Sequence, residues 1–309
     1  MTAGVSVVEQ RLLANSLRVW LRLLRVRQWS KNLMLCVALF LGQQFTDIAA
    51  VALTAGAFLL FSLLASGTYI LNDIHDVNVD RHHPTKRNRP LAAGAIQLNH
   101  ARLVALALIA ISLSAAALLF PWGFFVVLVS YLLLTLAYTS LFKKVALADA
   151  NVIGILFTLR VVAGMIVLGQ PISLWLTSFA ATLFTSFALA KRQAEFSRIA
   201  ASGSARATGR AYETLDLPAI LAFGVSYAVA SMLIMLLYFN FEVSGKGLYR
   251  TPEWLYIIPA ILMLWISRVW LLAQRGVLDE DPVEFALTDP VSWMYGGAVL
   301  AVWALAVFQ

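Results

Sequence analysis

Apolar residues in this chain come in long continuous runs, not in the alternation of a half-buried strand or the one-sided stripe of a soluble helix. The runs predict about nine helices, near 30–46, 49–71, 101–119, 122–141, 148–168, 171–190, 217–239, 254–273 and 289–308. Most approach the roughly 20 residues needed to cross a hydrocarbon core of about 30 Å. Pro121-Trp122-Gly123 and Gly169-Gln170-Pro171 mark the tightest turns. Ahead of the first run, about 11–28, Leu12, Leu13, Leu17, Trp20, Leu21 and Leu24 fall largely on one side with Arg18, Arg22 and Arg25 beside them. That is the pattern of a basic helix lying in the membrane interface. The expected fold class is therefore all-α: a polytopic membrane protein, one domain over 1–309, with an N-terminal interfacial helix. A β-barrel is excluded because its strands would alternate.

Composition agrees. Of 309 residues, 61% are hydrophobic and 13% charged, about half the charged share of a soluble domain. Residues 1–28 lack an apolar stretch before a small-residue cleavage site, so the first run is expected to be retained. The one cysteine, Cys36, lies in an apolar run and reads as a small core residue. With the N-terminus in the cytoplasm, every Lys and Arg except Arg160, Lys246 and Arg250 falls on inner segments, the bias expected of cytoplasmic loops. The net charge of +7 thus needs no nucleic acid as partner. Two inner loops are long, about 72–100 and 191–216, and long loops in compact chains often carry function.

The first long loop opens with Asn72, Asp73, Asp76 and Asp80, whose spacing puts them on one helix face. Like charges at the C-terminal end of a helix oppose its dipole and are accommodated by a divalent cation. Mg²⁺ takes oxygen ligands, one or two carboxylates plus phosphate oxygens. A solvated acidic helix end is the bland alternative. Lys86, Arg87 and Arg89 follow, a cationic complement for phosphate oxygens. A zinc site from His75, His82 and His83 is a weaker reading, because the spacing fits no common zinc pattern.

At these residues the chain resembles the UbiA-type intramembrane prenyltransferase superfamily. The resemblance rests on Asn72, Asp73, Asp76 and Asp80, continued by Asn88, Arg89 and Pro90, and extends through loop placement to most of the chain. It implies a UbiA-like bundle. Aromatic prenyltransferases of the superfamily carry a second Asp-rich motif on the other long loop. Here that loop begins Lys191-Arg192-Gln193-Ala194-Glu195. This departure, with Lys86-Arg87, Arg27-Gln28-Trp29, Lys31-Asn32 and the stretch Pro282, Glu284, Ala286, Leu287 and Asp289, resembles one branch, the decaprenyl-phosphate phosphoribosyltransferases. Extra phosphate charge calls for Lys and Arg.

The branch resemblance implies transfer of 5-phosphoribose from phosphoribosyl diphosphate to a polyprenyl phosphate such as decaprenyl phosphate, for a lipid-linked D-arabinofuranose donor, with inversion at C1. Asn72, Asp73, Asp76 and Asp80 are the expected Mg²⁺ ligands, and the three aspartates the catalytic group. Lys31, Lys86, Arg87, Arg89, Tyr138, Lys143, Arg160, Lys191, Arg192 and Glu195 are the substrate-binding candidates, with Glu195 placed to orient its two basic neighbours. For Lys143 and Lys144 a topology signal is an equal reading, and for Arg160 snorkelling is the alternative to a bundle-facing role. Asp279-Glu280-Asp281 reads as a solvated loop before a second metal site. The expected setting is the bacterial-type plasma membrane with the site facing the cytoplasm, and the resemblance hints at a homo-oligomer, a trimer being one form. Two other classes remain open. One is an aromatic or quinone prenyltransferase using a prenyl diphosphate. The other is a transporter, which would place its acids at mid-membrane.

Overall fold

The computed structural model describes residues 17–82, 86–202, 211–245, 247–278 and 282–309. Residues 11–16 of the interfacial helix, His83 and the run Asp279-Glu280-Asp281 lie outside them. Among the described residues the regular elements are helices, and eight of them are long and apolar enough to cross a membrane. They are α1 (Ile48–His82), α2 (Leu98–Leu119), α3 (Trp122–Ser140), α4 (Ala148–Val167), α5 (Leu174–Ala201), α6 (Leu217–Tyr238), α7 (Ile258–Gln274) and α8 (Pro290–Phe308).

The first expected crossing, 30–46, is not a continuous helix. It resolves into a 3₁₀ stretch, Val26–Leu35, and a short α-helix, Cys36–Leu41. The apolar run from Leu33 to Leu41 has only half the length a bilayer needs, and the polar residues before it are held by other bonds. Trp29 Nε1 donates to Ser66 Oγ (3.0 Å) and Asn32 Nδ2 to Ser62 Oγ (2.8 Å). The branch-like stretch Arg27 to Asn32 is therefore pegged along α1 by its Trp and Asn. The interfacial helix survives as 17–23, ending where Arg25 adopts a left-handed backbone (φ 51°).

The chain divides into two compact units, Met1–Leu33 with Ala55–Leu136, and Met34–Thr54 with Ala137–Gln309. In the first, Leu23, Ile70, Val77, Leu91, Ala101 and Ala105 form a buried cluster. Gly67 lets α1 approach α2: a Cβ there would lie 2.8 Å from the Ile109 side chain and 3.0 Å from the Ala105 carbonyl.

In the second unit α5 is central, packed against α4, α6 and α7. Small residues permit the close approach, as is usual between helices in lipid. A Cβ on Gly154 would sit 2.2 Å from Thr185 Oγ1, and one on Gly224 2.0 Å from the Trp270 ring. Trp270 Nε1 donates to Ser186 Oγ (3.1 Å), which donates to the Gly224 carbonyl (2.8 Å). These three polar groups inside the bundle are thus paired with one another. The branch-like segment near the C-terminus has a structural role in this unit. Asp289 caps α8 through the Ser292 amide (2.7 Å) and receives both terminal nitrogens of Arg268 (2.8 and 3.0 Å). Burial alone would raise its carboxyl, but these bonds outweigh that and hold it below the usual carboxylate range.

Candidate active site

In the first unit, the expected acidic face of α1 is two adjacent rows. Asp73 and Asp80 lie two turns apart with Val77 between them, and all three are buried, the two acids at 4% and 2% exposure. Asn72 and Asp76 form the neighbouring half-buried row, with Asn72 Nδ2 3.5 Å from Asp76 Oδ2. Burying two carboxylates is costly unless each finds a cation, and Arg89 supplies one. Its Nη1 bonds Asp80 Oδ2 at 2.7 Å and Asp73 Oδ1 at 3.1 Å. The 3₁₀ turn Lys86–Asn88 delivers it, closed by the bond from the Arg89 amide to the Lys86 carbonyl (2.9 Å).

Arg25 is the second cation. Its Nη2 bonds Asp73 Oδ1 at 2.5 Å, and its guanidinium lies over the Tyr69 ring, 5.0 Å from the centroid. Sequence reasoning placed Arg25 only on the polar side of the interfacial helix, in line with Arg18 and Arg22. The break at Leu24-Arg25 turns it toward α1, and nothing in the local pattern signals that break. Arg18, Arg22, Arg25 and Arg27 line a groove of about 410 Å³ together with Leu21, Val26 and Gln28. Lys31 and Lys86 are half-buried in the same unit and Arg87 is exposed.

Among the described residues no three His, Cys, Asp or Glu side chains converge as a ready metal cage. The donor chemistry nonetheless fits a hard cation. Four oxygen-bearing side chains lie on neighbouring rows of one helix, and the carboxylates of Asp73 and Asp80 are already drawn together around a positive charge. Mg²⁺ needs few protein ligands because it keeps water and phosphate oxygens. His82 Nδ1 lies 2.9 Å from the Asn78 carbonyl of its own helix, and with His83 outside the described residues the histidine set gains no support.

In the second unit the basic loop start and Asp149 form one network. Arg192, 2% exposed, bonds Asp149 Oδ2 through Nε (2.8 Å) and Glu195 Oε2 through Nη1 (2.8 Å). Tyr212 donates from its hydroxyl to Asp149 Oδ1 (2.5 Å) and accepts from the Leu147 amide (2.8 Å). Burial, then the bond to Asp149, pushes the Tyr212 phenol well above its usual value, so it stays protonated. Tyr138 is within electrostatic reach of Arg192. Lys143 and Lys191 are half-buried and Glu195 is 30% exposed. Arg160 is 3% exposed, donates to the Leu156 carbonyl of its own helix and stacks over Phe157 at 5.2 Å. Asp149, on the same helix, is engaged by Arg192 and Tyr212.

An acid-bearing helix end bridged by arginines thus stands on an all-helical chain with eight helices long and apolar enough to cross a membrane. Residues 33–287 match the UbiA prenyltransferase family, and the chain belongs to it. It is 43% identical over 288 residues to an uncharacterized protein, y4nM, of Sinorhizobium fredii, covering 93% of this chain; the chain spans 56% of that relative's length. It is 31% identical over 301 residues to the decaprenyl-phosphate phosphoribosyltransferase of Mycobacterium tuberculosis, covering 95% of this chain and 96% of the relative. Its fold is similar to that of a UbiA homolog from Archaeoglobus fulgidus bound to GPP and Mg²⁺, with TM-score 0.67, 17% identity and coverage of 93% and 99% of the two chains.

Proposed function

We propose that this UbiA-family enzyme transfers 5-phosphoribose from phosphoribosyl diphosphate to a polyprenyl phosphate, releasing pyrophosphate. The observation that carries the reading is the composition of the second long loop. Where a prenyl diphosphate enzyme of the family would carry a second acidic motif, this chain has Lys191 and Arg192, with Glu195 and Asp149 both held by Arg192. The likeness to a relative named decaprenyl-phosphate phosphoribosyltransferase supports the same donor and acceptor.

The lipid phosphate oxygen forms a bond to C1 of the ribose while the C1–O bond to the diphosphate breaks, its electron pair leaving with pyrophosphate. Phosphate is already a nucleophile near neutral pH, so no strong base is required of the chain. Mg²⁺, when bound, screens the diphosphate and acts as a Lewis acid toward the leaving group. Asn72, Asp73, Asp76 and Asp80 would hold it. Arg89 and Arg25 then exchange a carboxylate partner for phosphate oxygens, which a guanidinium bonds equally well. Lys86 and Arg87 add charge for the same diphosphate. Lys191, Lys143 and Tyr138 serve the remaining phosphate, and Lys31 with Arg27 the lipid phosphate. The site faces the cytoplasm, where most of the chain's cations would lie.

The test is direct. Purified full-length protein in detergent, with Mg²⁺, labelled phosphoribosyl diphosphate and decaprenyl phosphate, should yield labelled lipid and pyrophosphate. Transfer from a prenyl diphosphate to an aromatic acceptor, with no labelled pentosyl lipid, overturns the proposal.

A further inference from the structure

Tyr212 belongs to no motif singled out in the sequence, yet it sits where three elements meet. It is 3% exposed and stands edge-on to Phe196 of α5, centroids 5.9 Å apart. Its hydroxyl takes the amide hydrogen of Leu147, a non-glycine residue in the left-handed region (φ 62°) that precedes α4 and has no side-chain cap of its own. The same hydroxyl gives its hydrogen to Asp149 Oδ1. The other oxygen of Asp149 accepts from Arg192 Nε, and Arg192 Nη1 reaches Glu195. A continuous chain of hydrogen bonds therefore runs from the backbone at the head of α4, through a tyrosine at the far end of the second long loop, to the half-exposed carboxylate on α5.

Each link limits the next. A carboxylate that keeps both oxygens engaged has little rotational freedom, and a guanidinium bonded through Nε and Nη1 is fixed in plane. A left-handed non-glycine residue costs free energy and persists only where its surroundings over-determine it. Arg192 is 2% exposed and held by two carboxylates, so in this arrangement it acts through its neighbours. What it does is set the position of Glu195 and of the adjoining backbone that carries Lys191.

We propose that Tyr212 is a positioning residue: by locking Asp149 and hence Arg192, it holds the Lys191–Glu195 end of α5 in the one arrangement that receives a phosphorylated substrate. The ligand class is a phosphate group. The substrate to which it belongs rests on the reading above, whereas the positioning role does not.

The experiment measures binding of inorganic phosphate, the probe for the phosphate group assigned to Lys191, by calorimetry on the full-length protein in detergent. Tyr212→Phe removes only the hydroxyl and should weaken binding about fivefold or more, the worth of one net hydrogen bond in the network. Asp149→Asn should weaken it likewise, and carries the test if Tyr212→Phe does not yield folded protein. Tyr227→Phe is the control for loosened packing, because Tyr227 also bonds α4, through Asn151 Oδ1 at 3.2 Å. It should bind within about twofold of the unaltered protein, the range expected for a site outside the network. Unchanged affinity in Tyr212→Phe, equal weakening in Tyr227→Phe, or no phosphate binding by the unaltered protein each overturns the proposal. If pentosyl transfer is absent but phosphate affinity still depends on Tyr212, the donor assignment falls and the positioning role stands.

Discussion

One nitrogen of Arg89 holds two carboxylates of α1 at once, Asp80 at 2.7 Å and Asp73 at 3.1 Å. The acids are seven residues apart, two helical turns, and so share a row. The arrangement stores a place for positive charge beside a helix end whose own dipole is unfavourable to acids. A magnesium–diphosphate ligand would inherit that place.

Removing the bridge exposes the repulsion it masks. Arg89→Ala should lower stability by about 1–3 kcal/mol, since Asp73 and Asp80 stay buried while the arginine was itself partly exposed. Added Mg²⁺ should recover more of the thermal midpoint in this variant than it adds to the unaltered protein. Equal shifts in both would argue that the acids do not bind the cation.

The acids themselves should be indispensable to turnover. Asp73→Ala and Asp76→Ala are each expected to reduce kcat/KM by at least about 100-fold, roughly 2.7 kcal/mol. The thermal midpoint of Asp76→Ala should change little, because Asp76 is half-buried, and full activity in both variants would remove the metal assignment.

Acid should uncouple the pair at the head of α8. The Asp289 carboxyl is held below its usual range, so its contribution is complete above the unfolded value of about 4 and is lost as pH falls through the lower folded one. Asp289→Asn should therefore melt below the unaltered protein at pH 7, with the gap closing under about pH 4. A gap independent of pH would assign the effect to the cap alone.

A close approach to backbone predicts a steric failure. A Cβ on Gly164 would lie 2.2 Å from the Leu35 carbonyl oxygen, a backbone atom that cannot swing aside. Gly164→Ala should cost about 1–3 kcal/mol or more, seen as a lower thermal midpoint or poor recovery from membranes. Gly296→Ala, where a Cβ meets nothing within 4 Å, should be silent.

Much of this protein is written in local order. Continuous apolar runs specify helices that cross a bilayer, because only a closed backbone hydrogen-bond pattern is tolerated in lipid. The three- and four-residue spacing of Asn72, Asp73, Asp76 and Asp80 specifies a shared face, because the helical period is a property of the backbone. The departure at Lys191-Arg192 is visible as plain charge. What opposes each charge is another matter. The pairing of Asp149 with Arg192 spans 43 residues and that of Arg25 with Asp73 spans 48, and no periodicity encodes a partner at such distance. Nor does it encode the split of the acidic face into a buried row and a half-buried one, which depends on the core around Val77. The shortened first span is partly local, an apolar run of half the needed length, and partly tertiary, with Trp29 and Asn32 bonded to Ser66 and Ser62. The sequence by itself determined the membrane bundle and the acid-bearing helix end, since both follow from near-neighbour spacing and hydrophobicity. Only the tertiary structure decided which charges neutralise which, since that is set by burial and distance between segments far apart in the chain.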